Sequence, residues 1–147
     1  MQTHQYMDVI TLICTVIGAI AAIYGIKAYF KDHVEKGKEK IIGLKALFKA
    51  NQKIAQDLKD SLAEYARDNN ALYDQFYQNI TFSAYIALLN QTLENDLSDT
   101  ALENAVNVNP TESIINSMMT SLETQSANLL QVRNYFNLYF KLHKSFN

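Results

Sequence analysis

Residues 13–33 read ICTVIGAIAAIYGIKAYFKDH. They belong to an uncharged run, Val9 to Ile26, that Asp8 bounds on one side and Lys27 on the other. As a helix rising about 1.5 Å per residue, the run covers roughly 27 Å, close to the hydrocarbon core of a bilayer. Tyr6, Tyr24 and Tyr29 lie near its ends, where amphipathic rings favour the interface, and Lys27 and Lys31 can reach headgroups. A cleaved signal would carry positive charge ahead of the run, and MQTHQYMD has no Lys or Arg. A buried core helix is rarely apolar on every side over such a length. The stretch therefore predicts a transmembrane helix over residues 9–30, after a short extracytoplasmic N-terminus, residues 1–8.

Charge sets the expected orientation. The flank after the run carries Lys27, Lys31, Lys36, Lys38 and Lys40, and the flank before it carries none. Lysine-rich flanks stay on the cytoplasmic side. The sequence thus predicts a single-pass protein of the inner or plasma membrane, with its N-terminus outside and its bulk in the cytoplasm. Those five lysines form a basic juxtamembrane segment, residues 31–43 with the end of the span, suited to anionic lipid. Within the span, Thr11, Cys14, Gly18, Ala21, Ala22 and Gly25 recur at spacings of three and four. Such a stripe lets a second helix backbone approach closely and predicts self-association in the membrane. The lone cysteine, Cys14, cannot form an internal disulfide.

The remainder, residues 44–147, reads as helix throughout. All four glycines fall at or before Gly43, and a single proline, Pro110, follows. That scarcity argues against strands and turns and for long helices. Ile41, Leu44, Phe48, Asn51, Ala55, Leu58, Leu62, Tyr65, Asn69, Leu72 and Phe76 alternate by three and four, predicting one amphipathic helix to about Asn79. Phe82, Tyr85, Ile86, Leu89, Leu93 and Leu97 predict a second, over 82–97. Ser98 or Asp99 is positioned to cap a short third helix. Asn109-Pro110-Thr111-Glu112 predicts the start of the last, with Asn109 as cap, running to about Lys144. The fold class is all-α: one N-terminal transmembrane helix and a cytoplasmic bundle of about three to four helices.

Chemistry is sparse. His4, His33 and His143 lie far apart, and no Gly-rich phosphate loop occurs, so neither a metal centre nor a nucleotidase is expected, and no cofactor. The acids Glu94, Asp96, Asp99 and Glu103 read as a solvated surface. The near-neutral chain does not suggest a nucleic-acid partner. The last helix ends RNYFNLYFKLHKSF, where Tyr135, Phe136, Tyr139 and Phe140 surround basic residues and form a candidate interface. Arg133-Asn134 in this fragment resembles the start of the Arg-polar-…-His motif of HEPN-type helical RNases. Leu138 or Tyr139 stands where that histidine would be. His143 lies ten residues from Arg133, roughly 15 Å along a helix, too far to share a phosphate. The resemblance therefore implies a degenerate, inactive HEPN-like bundle; membrane-anchored bundles of that kind accompany bacterial antiviral systems.

These readings lead to an expected non-enzymatic membrane protein that assembles with copies of itself, as a pore, a membrane-perturbing effector or an accessory. A tethered adaptor, holding a soluble protein partner through the acids Glu94, Asp96 and Glu103, is the rival expectation. A membrane-bound RNase comes third.

Overall fold

A computed structural model describes residues 38–141 of the chain. The readings that fall on residues 1–37 lie outside the described residues: the membrane helix, its small-residue face, and Lys27, Lys31 and Lys36. His143 and Phe146 lie outside them too. Among the described residues no helix is long and apolar enough to cross a membrane.

The architecture is an all-α bundle with one small hairpin. Helix α1 spans Lys38–Asp68, strands β1 and β2 span Gln75–Tyr77 and Ile80–Thr81, α2 spans Phe82–Glu94, α3 Asp99–Asn107, and α4 Glu112–Phe136. A π-helical turn, Asn137–Lys141, extends α4. The described part of α1 begins at Lys38, so Lys38–Gly43, read from the sequence as the end of the basic linker, are helical. α1 is central. Leu44, Phe48, Asn51, Ala55, Leu58, Leu62 and Ala66 make its buried stripe, at the spacing read from the sequence. α2 returns antiparallel along it: Tyr65 stacks on Phe82, Lys59 reaches Asn90, and Gln52 donates to the Leu97 carbonyl. α4 runs parallel to it: Lys40 meets Glu112, Asn51 meets Leu122, and Tyr65 meets Phe136. α2 and α3 form the crossover that carries the chain back to the starting end.

The long first helix stops eleven residues before its expected end at Asn79. Two asparagines stop it. Asn70 takes a left-handed φ of 56°, and the Ala71 N–H bonds back to the Ala66 carbonyl at 2.9 Å. The Asn69 side chain donates to the Tyr65 carbonyl. This is a Schellman-type end with asparagine in the role more often played by glycine. The expectation of no strands is corrected as well. Gln78 and Asn79 both have positive φ, 48° and 62°, the signature of a two-residue type I′ turn. Tyr77 pairs with Ile80 and Gln75 with Thr81 in an irregular ladder. Aromatic and β-branched residues flank the turn and fit a pleated surface.

The caps follow the local sequence with one shift. Thr81 caps α2, and Ser98 caps α3, accepting from the Ala101 N–H at 3.1 Å. For α4 the cap is Thr111, which accepts from Ile114; Asn109, the expected cap, is left-handed at φ 49°. Asparagine tolerates that conformation, so it turns the chain out of α3 and leaves capping to the hydroxyl past Pro110. The regular part of α4 ends at Phe136, short of Lys144.

Candidate functional site

The parallel α1 and α4 give the bundle two unlike ends. At one pole lie the starts of both helices. The Lys40 ammonium donates to a Glu112 carboxylate oxygen at 2.6 Å and to the Asn116 side-chain oxygen at 3.0 Å. Of the five basic residues expected to face lipid, Lys40 is thus engaged within the bundle, and Lys38 is part of α1. On the flank of this half, Lys49 pairs with Asp99, and Lys53 with Asp57. Lys49 and Gln52 hold the Asp99 carboxyl below its usual range.

At the other pole, about 45 Å away along α1 at the rise of a helix, aromatic side chains fill the space between elements. Phe76 of the hairpin is buried. Its ring lies 4.9 Å from Phe82, 5.3 Å from Tyr85 and 5.7–6.0 Å from Phe140, Tyr135 and Phe136. Phe136 and Phe140 stack at 6.1 Å, so the π-helical turn keeps two successive rings on the core side. Tyr135 bridges outward, 5.0 Å from Tyr77 and 4.6 Å from Tyr139. Edge-to-face and offset contacts of this kind add roughly 0.5–1.5 kcal/mol per pair beyond burial. Burial, reinforced by Tyr77, pushes the Tyr85 hydroxyl well above the ordinary tyrosine value. The candidate interface therefore divides: Phe136 is core, Tyr135 and Phe140 are half-buried, and Tyr139 is 58 % exposed.

Arg133 and Asn134 lie on the exposed face of α4, in its last turn at this pole. Tyr139, near the position a HEPN-type histidine would take, is a solvent-facing tyrosine. No histidine occurs among the described residues, and none of their His, Cys, Asp or Glu side chains cluster in a way that could hold a metal ion.

Two of the buried polar groups are Asn51, which the sequence places in the apolar seam of the first helix, and Asp96, which it places on the surface. Asn51 is fully enclosed between α1 and α4. Its amide donates to the Leu122 carbonyl at 2.7 Å and to Gln125 at 3.0 Å, while its own oxygen has no partner. The Asn51–Gln125 pair fixes the stagger of the two parallel helices, because a slip by one turn would strand both amides in the core. Asp96, counted among the surface acids, is only 7 % exposed, and burial pushes its carboxyl up to about 6. Its position in the tight α2–α3 connection is the reason: the Leu97 N–H bonds to the Thr92 carbonyl and draws the loop inward. Of the other acids, Glu94 accepts from Asn90, and Glu103 is exposed.

Compared with family models, curated proteins and solved structures, the chain matches none. The reading of function therefore rests on its own residues.

Proposed function

We propose that the chain is a non-enzymatic membrane-anchored assembly module, in which the Val9–Ile26 helix spans the bilayer and the bundle projects from it. One observation carries the reading. Leu72, Tyr73, Leu138 and Tyr139, four of the five large exposed apolar side chains among the described residues, belong to the pole far from Lys38. The fifth, Ile42, stands near the start of α1. A helix stem leading out of an apolar segment and ending in exposed tyrosines and leucines has the layout of a stalk with a contact surface at its tip. The assembly is a membrane oligomer through the Cys14–Gly25 stripe, acting as a pore, a membrane-perturbing effector or an accessory in defence.

The adaptor reading is weaker on the same grounds. Of its three acids, Asp96 is buried, so the acidic contact surface shrinks to Glu94 and Glu103. The test is the mass of the detergent-solubilised chain by light scattering, corrected for bound detergent, with liposome leakage as a second readout. A defined multimer that Gly18→Leu reduces to monomer, with the variant still in the membrane fraction, is the expected result. A monomeric wild-type chain would overturn assembly, and a multimer that releases no vesicle contents would overturn the pore.

A further inference from the structure

The apolar pole carries two strips of opposite charge. The first comprises the end of α1 and the connection to the hairpin, with Arg67, Asp68, Leu72, Tyr73 and Asp74 all exposed. Residues 68–81 contain no Lys or Arg. The second comprises the end of α4 and the π-helical turn, with Arg133, Leu138, Tyr139 and Lys141 exposed. Residues 124–141 contain no Asp or Glu. Among the described residues no ion pair joins one strip to the other: Asp68 meets its neighbour Arg67, and Lys141 sits over the Phe136 ring at 5.7 Å. Each strip thus shows solvent two large apolar side chains beside charge: Arg133 and Lys141 in the second, and in the first Asp74 together with Asp68, which Arg67 at the strip's edge partly neutralises.

We infer that the two strips are the halves of an isologous contact, and that the occupant of this pole is a second copy of the chain. In a two-fold pair the acidic strip of each protomer faces the basic strip of its partner, so both contacts form at once. Apolar side chains and tyrosines supply the centre of the contact, and the charges at the rim fix its register. With the two-fold axis parallel to α1, both starting poles point the same way, so the two chains emerge from one membrane. The inference rests on the assembly reading and names its partner surface, which lies at the tip of the bundle and is separate from the membrane stripe.

The experiment uses the full chain with Cys14→Ser, in its membrane. Chains carrying Tyr73→Cys and chains carrying Tyr139→Cys, differently tagged, are co-expressed and oxidised. Each has a single cysteine, so every disulfide is intermolecular. The expected product is the mixed 73–139 disulfide, at least five-fold above a Ser117→Cys and Tyr139→Cys pair, since Ser117 lies toward the other pole. Lys141→Glu should reduce it several-fold, and Asp74→Lys in the same chains should restore it, a rescue that a misfolded bundle could not give. Absence of the mixed disulfide in chains with unchanged helical circular dichroism would overturn the inference. So would a Tyr139–Tyr139 product exceeding the mixed one, or a yield indifferent to Lys141→Glu. A multimer by light scattering without the mixed disulfide removes this contact and leaves the membrane assembly standing. A mixed disulfide that survives Gly18→Leu keeps the contact when the stripe has failed.

Discussion

The two poles of the bundle are closed by different forces. At the Lys40 pole, α1 and α4 are joined by an ion pair whose side chains are 40 % and 45 % exposed. At the opposite pole the same helices are joined through buried rings that also engage α2 and the hairpin. Water competes at the first pole and is excluded from the second. Exposed ion pairs contribute about 0–1 kcal/mol, whereas full burial of one phenylalanine side chain contributes about 1.5–3 kcal/mol before its neighbours are counted. Apolar packing reaches the first pole as well, where Leu44 and Ile115 are fully buried about one turn inside the ion pair, so the contrast lies in the outermost layer of each end.

The sharpest way to break this contrast is Phe76→Ala. Phe76 is 2 % exposed and touches rings from the hairpin, α2 and α4, so its loss should cost about 3–5 kcal/mol in urea unfolding. A cost below about 1 kcal/mol would mean that the aromatic pole does not carry the fold. Next comes the middle of the α1–α4 seam. Asn51→Leu should destabilise by about 1–3 kcal/mol, because Gln125 and the Leu122 carbonyl lose their donor in the core. Adding Gln125→Leu should recover part of that loss, which the double variant's urea midpoint would reveal.

Asp96→Asn should act in the opposite direction and depend on pH. Burial pushes the Asp96 carboxyl up to about 6 in the fold, against an ordinary 3.8. Between those values the native state holds a proton that the unfolded chain releases, so stability falls as pH rises through this window and is level above it. The amide removes that penalty. A gain of roughly 1–3 kcal/mol is expected above about pH 6, fading to none below about pH 4. A gain that is the same at pH 3.5 and pH 7.5 would show that burial of charge is not its cause. The smallest effect belongs to the exposed pole: Lys40→Met should cost under about 1 kcal/mol, less still in high salt. A larger, salt-independent loss would erase the distinction between the poles.

Much of the bundle was legible because helix periodicity is a local property of the chain. The buried stripe of α1 from Leu44 to Leu62, the start of α2 at Phe82 and the Ser98 cap all follow from side-chain spacing and capping chemistry. The hairpin was not. Its apolar residues Leu72 and Phe76 continue the three-and-four spacing of α1, so periodicity read across the break, and neither Gly nor Pro marked it. The usable signal was Asn69-Asn70 followed by the Phe, Tyr and Ile around Gln78-Asn79, since asparagine accepts left-handed φ almost as a turn residue does. At the candidate site, the aromatic cluster was visible as composition. Its division was legible in part: the spacing of four puts Phe136 and Phe140 on one face, as their stacking bears out, whereas the exposure of Tyr139 depends on which neighbours reach the end of the helix.

The sequence by itself determined that this chain makes amphipathic helices, where most of them start, and that an apolar run precedes them. Those are consequences of nearest neighbours along the chain. Only the tertiary structure decided that α4 runs parallel to α1, that Asn51 meets Gln125, that Asp96 is buried, and that the apolar tip carries strips of opposite charge. These relations join residues up to about seventy positions apart, and they arise from the competition of α2, α4 and the hairpin for one stripe on α1, which no local window contains.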